Sequence, residues 1–225
     1  MGHRERLWQK LERARFGDAF VHPYEKLEFL LTWVLPRVDT KPIAKMLLQQ
    51  FGSLSALFFA PKQKLMAVPG IGPRTARFLH VLGEIYLDME EEKLKKGPLL
   101  ADPRAVRNFL TAEIAWQEAE FFLVLFLDAK NHLIAQERLF RGTIDRSAVF
   151  PREVVKEALL RNARCVIVAH NHPSGDPTPS QEDLNLTRRL AQTLTLMDIT
   201  FHDHVIVGRE GMTNLRETHP ELWLG

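Results

Sequence analysis

The stretch CVIVAHNHPSGDPTPSQED, residues 165–183, decides how the chain is read. Cys165 to Ala169 form an unbroken apolar run rich in Val and Ile, the pattern of a strand buried on both faces. His170 and His172 follow at once. If the extended backbone persists, residues i and i+2 project from one face, and two imidazoles placed there can share a metal ion. Pro173, Gly175, Pro177 and Pro179 then turn the chain back. Ser180-Gln-Glu-Asp183 opens an amphipathic helix, SQEDLNLTRRLAQTLTLM, which can return Asp183 to the two histidines. His170, His172 and Asp183 would leave one tetrahedral position for water, the arrangement of a single catalytic zinc. Ser180-x-x-Asp183 has a second reading as a helix-capping box, in which both side chains serve backbone N–H groups. Both readings stand at this level.

Working outward, Phe121 to Leu127 is a second apolar run, Asp128 to His132 is turn-like, and LIAQERLFRG returns as another strand. DPRAVRNFLTAEIA, from Asp102, and REVVKEALLRN, opened by Pro151, have the spacing of helices. HDHVIVG, residues 202–208, reads as the last strand. The expected fold of this region is α+β, a mixed sheet with helices packed on it. A metal that acidifies water still needs a carboxylate to carry the proton to a leaving amine. Glu118 and Glu120, just before the Phe121 run, are the candidates, and spacing does not choose between them.

Residues 1–98 read as a separate all-α domain, with the boundary between 96 and 103 and the second domain over 103–225. EKLEFLLTWVL and KPIAKMLLQQF carry apolar residues at helical spacing. Pro23, Pro36, Pro42, Gly52, Pro61 and the run Val68-Pro-Gly-Ile-Gly-Pro73 punctuate them. HVLGEIYLDMEEEKLKK reads as a last helix. Between Glu28 and Glu84 the only acid is Asp39, against Arg37, Lys41, Lys45, Lys62, Lys64, Arg74 and Arg77. Such an excess marks either a phosphate-facing surface or a solvated helix face.

Composition closes off several classes. No apolar run approaches the ~20 residues of a membrane helix. The charged segment MGHRERLWQKLERARF has no apolar export core, so a cytoplasmic location is expected. The single Cys165 excludes an intrachain disulfide and a Cys-rich zinc finger. It also cannot supply the His-x-Glu and Cys-x-x-Cys set of a zinc deaminase. The string His170-Asn171-His172 is contiguous, whereas HNH nucleases spread these residues over a ββα unit.

His170-x-His172-Pro173…Ser180-x-x-Asp183 resembles the JAMM motif of JAB1/MPN-type metalloproteases. AHNHPSGDPTPSQED, with LFRGTID, PREVVKEAL and DHVIVG, resembles more narrowly the RadC family over residues 103–225. The resemblance implies a JAB1/MPN, cytidine-deaminase-like α+β fold and an amide-bond hydrolase, a peptidase or isopeptidase. It implies one zinc per chain on His170, His172 and Asp183, Glu120 as the catalytic carboxylate, and Ser180 stabilising the tetrahedral intermediate. It also places Asp203 and His204 near the site in orienting or structural roles. Val68-Pro-Gly-Ile-Gly72 resembles the turn of a helix-hairpin-helix module, which RadC-like chains carry at this place. That likeness implies weak, sequence-independent DNA binding through residues 68–77, with backbone N–H groups and a helix N-terminus facing phosphate.

Overall fold

Both apolar runs are central strands of one sheet. The computed structural model describes residues 3–15, 20, 22–142 and 151–224. The sheet has the order β2-β1-β3-β4-β5, with β1 Glu120–Leu127, β2 Leu133–Gly142, β3 Cys165–Asn171, β4 Thr200–Val207 and β5 Met212–Asn214. β1 runs antiparallel to both β2 and β3, β3 and β4 are parallel, and β5 is antiparallel to β4. Parallel neighbours need a crossover, and helix α9, Gln181–Thr195, supplies it. HDHVIVG is therefore not the end of the sheet. The three-residue β5 was too short to show as a periodic run, and β4 begins at Thr200, two residues before His202.

The pleat sorts the core into two layers. Phe122, Val124, Phe126, Val166 and Val168 pack against Val154 and Ala158 of helix α8, Pro151–Leu160, and against Leu190 and Leu194 of α9. Leu123, Leu125, Ile167 and Ala169 point the other way, onto Phe109, Leu110 and Ile114 of helix α7, Pro103–Ile114. Every residue of β3 is buried, which is why its sequence shows no polar alternation up to Ala169. Asp102 caps α7 by accepting the Ala105 N–H at 3.0 Å, with Pro103 in the first helical position. In the β1–β2 turn Asn131 takes a left-handed φ of 63°, and the Asp128 carboxylate accepts the Lys130 and His132 N–H groups. Residues 143–145 of LFRGTID lie outside the described residues.

The chain divides into two compact units, Met1–Tyr86 and Leu87–Gly225. The first is helical: α1 His3–Arg13, α2 Pro23–Val34, α3 Thr40–Phe51, α4 Leu54–Phe58, α5 Lys62–Met66 and the start of α6, Pro73–Leu94. The division falls within α6, so HVLGEIYLDMEEEKLKK continues a helix that begins at Pro73. Pro42 does not break the chain. It sits in the first turn of α3, where a missing N–H costs nothing, behind an Asp39 cap. The unit's core is Leu27, Leu31, Leu47, Leu57, Leu65 and Leu79 with their neighbours. Between α5 and α6, Gly70 has φ 86°, and a Cβ there would meet Ile43 Cδ1 at 3.0 Å. Among the described residues no helix is long and apolar enough to cross a membrane.

Candidate metal centre

The extended geometry of β3 runs through His170 to Asn171, and His172 continues it by donating its N–H to Val207 O of β4 at 2.9 Å. His170 and His172 thus share the face that meets α9. Asp183 lies in the first turn of α9. The three side chains converge: His170 Nε2 is 3.1 Å from His172 Nε2 and 3.2 Å from Asp183 Oδ1, and His172 Nε2 is 3.4 Å from Asp183 Oδ2. All three residues are buried, and the cluster could hold a metal ion.

The chemistry of these donors fits a cation. His172 Nδ1 is 2.8 Å from Asp176 O, and a carbonyl only accepts, so Nδ1 carries a proton and Nε2 is the nitrogen turned to the cluster. Without a metal, the hydrogen bond to Asp183 raises the His172 pKa while burial opposes the rise. Burial works against ionisation of Asp183 too, but hydrogen bonds from His170 and His172, with a further one from Ser180, outweigh it. They hold the carboxyl well below the usual range. In the metal-free chain a proton between imidazole and carboxylate takes the place of a cation. The loop that carries Asp176 is pressed onto the end of β4. A Cβ at Gly208 would lie 2.1 Å from Gly175 O, so only glycine fits there.

The capping reading of Ser180-x-x-Asp183 is realised, and the same carboxylate also faces the histidines. Ser180 Oγ accepts the Asp183 N–H at 3.2 Å, and Asp183 Oδ2 accepts the Ser180 N–H at 2.7 Å, which is a capping box. Ser180 also donates its hydroxyl to Asp183 Oδ2 at 2.6 Å, while Oδ1 faces His170. Capping orients the carboxylate toward the histidines rather than competing with them.

Glu120 lies on the same face of the sheet. β1 pairs with β3 in the register Phe122↔His170, so two residues further on Glu120 stands beside His172. Its Oε1 is 4.0 Å from His170 Nε2, within reach of a water-bridged proton transfer. Glu118 is exposed and precedes the strand.

Asn171 has no role that its sequence context reveals. The pleat sends its side chain away from the cluster, where it is wholly buried. Its Oδ1 accepts the Phe121 N–H at 2.7 Å, and its Nδ2 donates to Ala119 O at 3.0 Å and to Gln117 O at 3.4 Å. It therefore fixes the backbone on both sides of Glu120. A polar residue placed between two histidines at the end of a buried strand was the available signal, since buried amides are hydrogen-bonded.

His204 is wholly buried against His170, whereas Asp203 points to the opposite face. Asp203 accepts the N–H groups of His204 and Arg216 and the side-chain amide of Asn214, and so ties β4 to β5 and helix α10, Leu215–Thr218. Its role is structural.

A family model described as the RadC-like JAB domain matches residues 100–220. The chain belongs to this family. The match begins just before α7 and takes in β1 to α10, hence the whole His-His-Asp cluster together with Glu120 and Ser180. The RadC-like JAB assignment fits the JAMM pattern of this cluster. The hairpin at residues 68–72 lies outside it.

Proposed function

We propose that the chain is a zinc-dependent hydrolase of amide bonds, acting in the cytoplasm on a peptide or isopeptide. The observation that carries the reading is the meeting of two imidazole Nε2 atoms and the Asp183 carboxylate, with Glu120 Oε1 4.0 Å from His170 Nε2. His170, His172 and Asp183 would hold one zinc, which when bound polarises the scissile carbonyl and acidifies water. Glu120 takes the proton of the attacking water and hands it to the leaving amine. Ser180, whose hydroxyl faces the same carboxylate, turns its proton toward the oxyanion that develops.

The test is metal analysis coupled to hydrolysis of a broad peptide and isopeptide library. The expected result is one zinc per chain, lost in His172→Ala. Glu120→Gln keeps its zinc and loses about 10²- to 10⁴-fold in rate. A folded wild-type chain that stays metal-free in excess zinc, or a Glu120→Gln variant as active as wild type, defeats the proposal.

A second reading, a DNA-binding repair or processing factor whose metal site is accessory, draws on the first unit. There the Gly70 turn opens onto the N-terminus of α6, with Arg74 and Arg77 exposed in its first turns. Such a turn presents backbone N–H groups and cations to a phosphate. Titration of the full chain with labelled duplex at several salt concentrations should give binding that weakens with salt and ignores sequence. No binding at low salt rejects it.

A further inference from the structure

We infer that Thr187 and His204 form a one-way hydrogen-bond chain that fixes a proton on His170 Nδ1, and thereby leaves Nε2 as the atom that binds a metal once the proton it shares with Asp183 is displaced. The inference rests on the proposed reading of the cluster as a metal site. Thr187 lies one turn after Asp183 on α9, and its Oγ1 is 2.6 Å from Asp183 O. Two oxygens at that distance need a proton between them, and only the hydroxyl has one. Thr187 therefore donates to Asp183 O and can only accept on its other side. There His204 Nδ1 lies at 2.6 Å and must supply the proton.

His204 Nε2 is in turn 2.8 Å from His170 Nδ1. The proton in that gap belongs to one ring or the other. His204 is wholly buried among His170, Thr187 and the Phe122 ring, and among the described residues no carboxylate is in hydrogen-bond contact with its ring. An imidazole that donates at Nδ1 offers its other nitrogen, Nε2, as the acceptor. So His204 keeps a bare Nε2 and accepts from His170 Nδ1–H. His170 Nε2, 3.2 Å from Asp183 Oδ1, is left as the ligand atom.

A metal-bound histidine usually donates its second N–H to a carboxylate, a carbonyl or water, and that bond sets ring orientation and ligand basicity. His172 follows that pattern through Asp176 O. For His170 the carbonyl stands two links away, and it is the carbonyl of Asp183 itself. One residue thus supplies a ligand through its side chain and orients another ligand through its backbone. Thr187 and His204 are positioning residues here, neither touching substrate.

The test uses the full chain, with zinc as the probe. Imidazole nitrogen NMR of the metal-free protein should place protons on Nδ1 of both His204 and His170, and none on His204 Nε2. A proton on His204 Nε2 overturns the chain of donors. Zinc affinity, measured by chelator competition, should fall about 10- to 100-fold in Thr187→Val and stay within about 3-fold in Thr187→Ser, which keeps the hydroxyl. Thr187→Val binding zinc as tightly as wild type also overturns it. If Thr187→Val does not fold, the wild-type NMR measurement decides. If wild type binds no zinc, the metal reading fails by itself, and the proton positions still decide the relay.

Discussion

On the proposed function, replacing Asn171 by alanine separates Glu120, the proton carrier of that proposal, from the residues that would hold the metal, because the Asn171 side chain anchors the segment of the first and bonds to none of the second. In the wild-type chain its amide satisfies the Phe121 N–H at 2.7 Å and Ala119 O at 3.0 Å. Asn171 is fully buried and Phe121 nearly so. Each buried group left without a partner costs about 1–3 kcal/mol, so the two together cost roughly 2–6 kcal/mol. For a chain of this size each kcal/mol moves Tm by ~2–4 °C, which predicts a fall of roughly 4–24 °C. The freed segment is the one that carries Glu120, so hydrolysis should drop by more than about 10-fold. The ligand set is intact, and zinc affinity should stay within about 3-fold of wild type. Calorimetry, chelator competition and a peptide assay on one preparation read all three quantities. A variant with unchanged Tm and full activity refutes the role given to Asn171. A variant that loses zinc as strongly as His172→Ala refutes the separation.

Gly208→Ala should act from the other side. Its Cβ would stand 2.1 Å from Gly175 O and 2.8 Å from Gly175 C, both backbone atoms, so the loop carrying Asp176 must shift. The expected cost is about 1–3 kcal/mol, with zinc affinity lowered about ten-fold or more as His172 loses its orienting carbonyl; unchanged affinity would show that this loop does not hold His172. Cys165 gives a pH signature. Burial pushes its thiol up to about 11 from an ordinary 9.0, so the unfolded chain releases the proton first as pH rises. Stability from this group is complete below about pH 9 and is lost as pH climbs to about 11, a loss of up to ~2 kcal/mol that Cys165→Ala should lack. Urea titrations of both proteins at pH 8 and 11 check it, and equal pH dependence would refute it. The native thiol should also resist disulfide reagents at pH 8 until the chain unfolds.

Much of the site was legible in residues 165–183 because strand and helix periodicities act locally. The pleat alone put His170 and His172 on one face, and the cap pattern put Asp183 at the head of α9. Glu120 was different. Its place depends on the pairing of β1 with β3, residues 50 apart in the chain, and only the resemblance chose it over Glu118. Thr187 and His204 are legible only as a buried threonine and a strand histidine until α9 is laid over β4. β5 escaped because three residues carry no period. The first unit's short helices α4 and α5 escaped for the same reason, whereas the glycine turn at Gly70 announced itself by composition.

The alternation along β3 has a consequence for the changes in length the segment can bear. Deleting one residue between Cys165 and Ala169 would turn every following side chain to the opposite face. Both imidazoles would then meet α7, and the Asn171 amide would enter the space before Asp183. Ligands and the anchor of Glu120 would be lost in a single event, although each can be replaced singly by substitution. Volume-conserving apolar exchanges within Cys165–Ala169 should therefore be tolerated, while single-residue insertions and deletions should be rejected throughout. A two-residue deletion would restore the facing but slide the histidines along β1, out of step with Glu120.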